Sequence, residues 1–356
     1  MAKTAIIFTP KYYSHKPGPS HPETPKRLRV VMDEIARLDL FSVNSECKLV
    51  RPNLASTKDL ELVHVPEHTQ LVKRICEHGG GLLDVDDTVV SPESFETARY
   101  AVGGTLKAVD LVINKNFRNA FALVRPPGHH AGSYYAAGFC VFNNVAIAAT
   151  HLIRRLGIER ILILDMDAHH GNGTQEIFYE TKNVLYVSLH EDPLEFPGTG
   201  FVDEIGEGQG LGHNVNIPFP FRAGDKAYLK AFDEVIVPIV QQYAPQFVLV
   251  SAGYDSVFGD SVAKLNLSAA AYSLIFEKML GLASTFCEDK FVAVLEGGYN
   301  LKKLGKLVVS SISKMAGFPY LMKDGRPPVN HKAEKKAEKV IREVKKVHSA
   351  FWDLES

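Results

Sequence analysis

The sequence predicts a single large α/β domain built on a doubly wound, mostly parallel sheet flanked by helices. Continuous apolar runs recur along the chain instead of alternating, as strands covered on both faces require. Helical stretches separate many of these runs, the strand–helix alternation of a parallel sheet. Polar, chemistry-bearing residues cluster just after four of the runs, and in open α/β sheets the carboxyl ends of the strands are where ligands bind.

In chain order, a strand is expected near 5–9 and a helix near 25–38, then a strand near 47–51 and a helix near 92–113. Phe121-Ala122-Leu123-Val124 marks a strand near 121–125, followed by a helix near 143–156. Ile161-Leu162-Ile163-Leu164 opens a strand near 161–167, and further strands fall near 184–190 and 213–218. A helix near 225–243 leads to the strand near 247–251, and a helix near 268–288 to the strand near 291–296. Residues 15–25, 79–91 and 190–212 are rich in Gly, Pro and charge and too long for simple connections, and such loops are often functional. Beyond Arg326-Pro327-Pro328, Val340, Ile341, Val344, Val347 and Phe351 repeat at helical spacing among Lys and Glu. The expected division is a catalytic domain over 1–326 and an amphipathic helix within 327–356 packing on it.

The 356 residues include 46% hydrophobic side chains, ample for a core, and no Pro/Gly/Ser-rich linker or repeat divides them. Lys+Arg 40 against Asp+Glu 41 leaves no global basic field for nucleic acid. Cys47, Cys76, Cys140 and Cys287 lie far apart without CxxC spacing, against a disulfide scaffold or a cysteine zinc cluster. No apolar stretch approaches the roughly 20 residues of a membrane span. The apolar run at the start is too short for a signal peptide, so the cytoplasm is the expected location.

The most informative stretch is Asp165-Met166-Asp167-Ala168-His169-His170-Gly171-Asn172-Gly173. Asp167 and His169, two apart, point the same way in an extended segment. An oxygen and a nitrogen so placed suit a divalent metal such as zinc. The same residues also suit a strand end whose polar groups cap the next helix. In Arg125-Pro126-Pro127-Gly128-His129-His130-Ala131-Gly132, paired prolines and a glycine stiffen a turn that carries two adjacent histidines. Ser251-Ala252-Gly253-Tyr254-Asp255 and Glu296-Gly297-Gly298-Tyr299 stand after the last two strand runs.

With these motifs the chain resembles the zinc-dependent histone deacetylase family, which includes acetylpolyamine amidohydrolases and prokaryotic deacetylase-like proteins. The resemblance runs from His21-Pro22-Glu23 to Glu296-Gly297-Gly298-Tyr299-Asn300, through Gly138-Phe139-Cys140, Asn143-Asn144 and Phe196-Pro197-Gly198-Thr199-Gly200 in family order. It implies the eight-stranded sheet shared with arginase, and a zinc held by Asp167, His169 and Asp255. The same ligand set accepts Fe2+ or Co2+. It further implies a catalytic His129/His130 pair and a catalytic Tyr299. His130 is the expected general base, bonded to Asn172 where many relatives carry aspartate, so its pKa is expected to be lower than with that carboxylate. His129 is the expected charged or orienting partner, held by Asp165. His170 is expected to face away from the metal. A potassium ion is implied beneath the site on Asp165, Ser188 and the carbonyls of Asp167, His169 and Leu189, with a second cation site at Phe178, Thr181 and Val184.

Gly138, Phe139 and Phe196 match the family's tunnel wall, and Asp87 lies in the loop that grips substrate backbone in many relatives. The implied substrate is acylated lysine in proteins or an acetylated polyamine. Val262 stands where polyamine-selective eukaryotic relatives carry a glutamate that pairs with an ammonium, so acyl-lysine is preferred; Glu195 and Asp87 remain as acids nearby. Two competing readings are arginase-like dimetal hydrolysis, opposed by Gly171 where a second metal-binding aspartate would stand, and a catalytically weak acyl-lysine binder, opposed by the retained Tyr299, histidines and metal ligands.

Overall fold

The computed structural model describes residues 4–42, 45–84, 87–320, 322, 324–325 and 327–354. The domain boundary expected at Arg326, and part of the loop 79–91, fall outside the described residues. Strands β1 (Thr4–Ile7), β2 (Cys47–Val50), β3 (Gly81–Leu82), β4 (Val89–Val90), β5 (Asn119–Ala122), β6 (Ile161–Asp165), β7 (Val184–Glu191), β8 (Asn214–Phe219), β9 (Phe247–Ala252) and β10 (Phe291–Leu295) follow one another along the chain. Eight of them form one parallel sheet in the order β2-β1-β5-β10-β9-β6-β7-β8. These are the eight strands expected from the apolar runs. β3 and β4 form a separate antiparallel pair inside the loop 79–91, which the sequence reading left without structure.

Parallel strands need crossovers, and right-handed crossovers send helices to opposite faces according to the direction of each step. Helices Lys26–Arg37, Leu304–Ala316 and Ala269–Phe286 pack side by side, and Ser94–Ile113 packs against Asn144–Leu156. The helix Asn144–Leu156 begins where Asn143 Oδ1 accepts the Ala146 N–H at 2.9 Å and ends at Gly157 in left-handed backbone. The helix expected at 225–243 is present but broken by a π turn, Phe232–Ile236, just ahead of Pro238. Proline has no N–H to give its own i−4 carbonyl, so the ladder widens there. Helices Thr57–Leu60, Pro66–Glu77, Asn172–Phe178 and Leu304–Ala316 are additions to the expected set.

The tail helix His331–His348 packs on β8 and on the helix Asp225–Ala231. Its inner stripe is Ala333, Ala337, Ile341, Val344 and His348. Of the expected stripe, Ile341 and Val344 are buried and Phe351 is exposed. The helix stops at His348, so the spacing that would carry Phe351 inward ends first; Trp352 docks instead, donating from Nε1 to Gly212 O at 2.8 Å.

The register sets the site. Ala122, Val294, Ser251, Asp165 and Ser188 lie level across β5, β10, β9, β6 and β7. Two expected strands, 121–125 and 161–167, stop early at this row, because their next residues leave the sheet to build the loops above it.

Candidate active site

Loops from five neighbouring strands close round a cavity of about 390 Å³. It is lined by His129, His130, Asp167, His169 and Tyr299, with Gly138, Phe139, Phe196, Asp87 and Val262 also in the wall. Glu191, Glu195 and Lys264 complete its polar lining. A larger cavity of about 560 Å³ lies against the start of the tail helix, but among the described residues it holds no cluster of metal-ligating side chains.

Asp167, His169 and Asp255 bring one ligand atom each within 4.8 Å of the others, all deeply buried. His169 Nδ1 lies 3.2 Å from Asp167 Oδ1 and 3.3 Å from Asp255 Oδ2. Each carboxylate is fixed by backbone: Gly297 N–H donates to Asp167 Oδ2 at 2.8 Å, and Ala168 N–H to Asp255 Oδ1 at 2.9 Å. Asp255 Oδ2 is buried with no hydrogen-bond partner. Burial and the neighbouring Asp167 push the Asp255 carboxyl up to about 7. Two buried carboxylates with an orphaned oxygen and an imidazole nitrogen between them form a donor set for a divalent cation. A Cβ on Gly297 would run into both carboxylates, so glycine is required at that point.

His129 and His130 stand side by side, ring centroids 4.0 Å apart, with different partners. His129 Nδ1 lies 3.0 Å from Asp165 Oδ2. Burial opposes charge on this ring, but the Asp165 and Asp167 carboxylates outweigh it and push the imidazole up to about 10. Burial, reinforced by His129 and His169, holds His130 well below the usual imidazole value. Asn172 donates its amide N–H to Tyr135 Oη at 3.1 Å, which turns its oxygen to His130 Nδ1 at 2.7 Å. His130 therefore carries its proton on Nδ1 and keeps a lone pair on Nε2. The loop approaches closely: a Cβ on Gly138, at φ +52, would strike the His130 ring.

Tyr299 reaches the cavity from the end of β10. Asp260 Oδ2 accepts the N–H groups of Tyr299 and Asn300, each at 2.8 Å. The buried Arg27 guanidinium lies 4.9 Å from the ring centroid, and Phe139 meets the ring edge to face at 5.8 Å. Burial pushes the hydroxyl well above the usual phenol value, so it remains a donor. No hydrogen bond engages that hydroxyl among the described residues.

Beneath the site, Asp165 is fully buried and also accepts from Tyr186 Oη at 3.1 Å. Ser188 pairs with Asp165 in the sheet register, and its hydroxyl lies 2.8 Å from His190 Nδ1. Leu189 follows on the same strand, and its carbonyl lies 3.3 Å from Tyr228 Oη. Phe178 ends the helix before β7, Thr181 lies in the connection and Val184 opens the strand. His170 sits away from the ligands, between Thr199 Oγ1 and Gln175 Oε1.

Several residues around the site carry roles that the sequence motifs do not assign. Glu296 is buried and accepts from Gly128 N–H at 2.6 Å and His129 N–H at 3.3 Å, holding the histidine loop; burial pushes it up to about 7. Its place at the head of the Glu-Gly-Gly-Tyr cluster was the available signal. Glu23, Arg27 and Arg125 form a buried knot: Arg125 Nη2 donates to Glu23 Oε2 at 2.6 Å, and Arg27 Nε to Gly298 O at 2.7 Å. Glu191 lies 3.9 Å from His169 Nε2.

Comparison with known proteins meets this geometry. A family model described as a histone deacetylase domain matches residues 21–315. A probable deacetylase of Archaeoglobus fulgidus is 40% identical over 360 residues, spanning 98% of both chains. Histone deacetylase 15 of Arabidopsis thaliana is 36% identical over 323 residues, covering 89% of this chain and 57% of that protein. The crystal structure of the HDA15 HD domain superimposes with a TM-score of 0.87 at 34% identity, covering 99% of this chain and 95% of that one.

Proposed function

The chain belongs to the histone deacetylase family, and from that premise we propose that it hydrolyses the amide of an acylated lysine side chain in proteins. One observation carries the reading: His129 on the Asp165 carboxylate, His130 on the Asn172 amide oxygen and an unengaged Tyr299 hydroxyl share one cavity with Asp167 and His169 of the metal-ligand cluster. Zinc on those three ligands, or Fe2+ or Co2+ in its place, would supply Lewis acidity to the amide carbonyl and a water molecule.

The chain's own groups supply the rest. His130 Nε2 takes a proton from the attacking water and passes it to the departing lysine amine as the C–N bond breaks. His129, kept charged by Asp165, steadies negative charge building at the carbonyl carbon's oxygens. The Tyr299 hydroxyl donates to the same oxyanion. Phe139 and Phe196 offer aromatic faces to the aliphatic stem of the lysine, and Phe196 meets His130 edge to face at 4.9 Å. A potassium ion on Asp165, Ser188 and the carbonyls of Asp167, His169 and Leu189 would brace the loop from below; Phe178, Thr181 and Val184 would hold a second one.

Val262 in the cavity wall favours acyl-lysine, since an apolar side chain cannot pair with an ammonium. Asp87 and Glu195 in the same wall favour the second reading, an acetylated polyamine. The deciding measurement is kcat/KM for an acetyl-lysine peptide against acetylspermidine and acetylputrescine, on zinc-loaded and metal-stripped protein. A clear advantage for the peptide is expected. Higher values for the polyamines overturn the substrate assignment, and undiminished turnover by metal-free protein overturns the metal.

A further inference from the structure

We propose that Glu191 is a positioning residue for the metal centre, its carboxylate receiving the outer N–H of His169 and thereby fixing that ligand's tautomer and ring orientation. The proposal rests on the metal reading of Asp167, His169 and Asp255.

His169 turns Nδ1 toward both aspartates, at 3.2 Å and 3.3 Å. For Nδ1 to offer a lone pair to a cation, the ring proton must sit on Nε2. Glu191 Oε1 stands on that side, 3.9 Å from Nε2. That separation is closed by a small side-chain rotation or one bridging water. The carboxylate is prepared for this use. Glu191 ends β7 with 7% of its surface exposed, and its backbone N–H donates to Ala168 O at 2.8 Å, within the ligand loop itself. Its other oxygen is already taken by the Lys264 N–H at 2.8 Å. One oxygen anchors the group and the other is left for the imidazole.

The three ligands differ in what supports them. Asp167 is held by Gly297 N–H and Asp255 by Ala168 N–H. Glu191 is the group that gives the His169 ring an equivalent support. A carboxylate behind a metal-bound histidine orients the ring and raises its basicity, and losing such a partner typically costs about 10–100-fold in metal affinity. Glu191 also lines the cavity, so the competing role is a fixed charge that acts on the substrate.

The experiment measures binding of Zn2+ and Co2+ alone to the full chain by chelator competition, with no substrate present. In Glu191→Gln the amide oxygen still accepts from Lys264 N–H, so folding is expected to be retained. Zinc affinity should fall about 10–100-fold and the visible Co2+ spectrum should change. Glu191→Asp, which keeps the charge but withdraws it, should also bind zinc more weakly, and it serves as the test if the Gln variant does not fold. Equal zinc affinity in wild type and variant overturns the proposal alone. So does unchanged metal binding with a loss of kcat/KM confined to cationic substrates, which would assign Glu191 to the substrate. A wild-type chain that takes up neither ion overturns the metal reading and this inference together.

Discussion

His130 Nδ1 lies 2.7 Å from Asn172 Oδ1, so the ring with the free Nε2 leans on a neutral amide. Its neighbour His129 leans on the Asp165 carboxylate, and the two rings are driven apart in pKa, His129 up to about 10 and His130 well down. Such separated environments divide labour between adjacent groups.

Asn172→Asp would place a carboxylate behind His130 and raise its pKa. A base must be unprotonated to act, so the acid limb of the kcat/KM profile should move to higher pH. A pH–rate comparison of the two proteins checks this; an unmoved limb would remove His130 from the proton-transfer role.

Tyr299→Phe should lower kcat by about 100- to 1,000-fold, the usual cost of an oxyanion donor. Metal content should stay the same, because the hydroxyl touches none of the three ligands. Steady-state kinetics beside metal analysis decide it, and a kcat within about threefold of wild type contradicts the role.

Zinc and protons should compete at Asp255. Burial and Asp167 push this carboxyl up to about 7 when the cluster holds no cation. A raised carboxyl pKa means the proton is held below that value, and the cation needs the carboxylate. Zinc affinity should therefore rise as pH climbs through about 7. It should go on rising above that point, because the His169 imidazole, which burial pulls down but Asp167 and Asp255 hold well above its usual value, must also give up its proton. In Asp255→Asn the affinity should collapse. Calorimetric titration across this range reads both effects.

Glu23→Gln should destabilise the fold by about 3–5 kcal/mol, because it leaves buried guanidinium charge without its counter-charge. Glu23, Arg27 and Arg125 are all fully buried, with Glu23 3.2 Å from Arg27 Nη1 and 2.6 Å from Arg125 Nη2. Urea denaturation tests this, and a loss below about 1 kcal/mol would mean that the knot is not a stabilising unit.

Most strands of the main sheet are legible because both faces of a parallel sheet are covered, leaving apolar runs. The edge strand β2, with Lys48 and Leu49 exposed, and β8, with Asn214 and Asn216 among its apolar residues, do not follow that pattern. The clusters after β5, β6, β9 and β10 are legible for a related reason: polar residues directly after such a run sit at a strand end. The helix Leu304–Ala316 is not among the expected elements: it is buried nearly all round, with only Lys306 and Lys314 exposed. The roles of Glu191 and Glu23 are not legible either, although Glu23 stands in the His21-Pro22-Glu23 motif. The Glu23–Arg125 contact spans 102 residues, and a pairing across that separation leaves no local pattern.

The level row of Ala122, Val294, Ser251, Asp165 and Ser188 also sets a timetable for biosynthesis. The hydrogen bond that holds the Asp167 carboxylate comes from Gly297, 130 residues further along. Synthesis delivers the chain from its N-terminus, so Asp167 and His169 emerge long before β9 and β10 exist to face them. A half-made chain exposes these groups as an ordinary loop. All three candidate ligands are present once the loop after β9 has emerged, but the bond that fixes Asp167 forms only when β10 has docked, so the finished form of the pocket marks completion of the sheet.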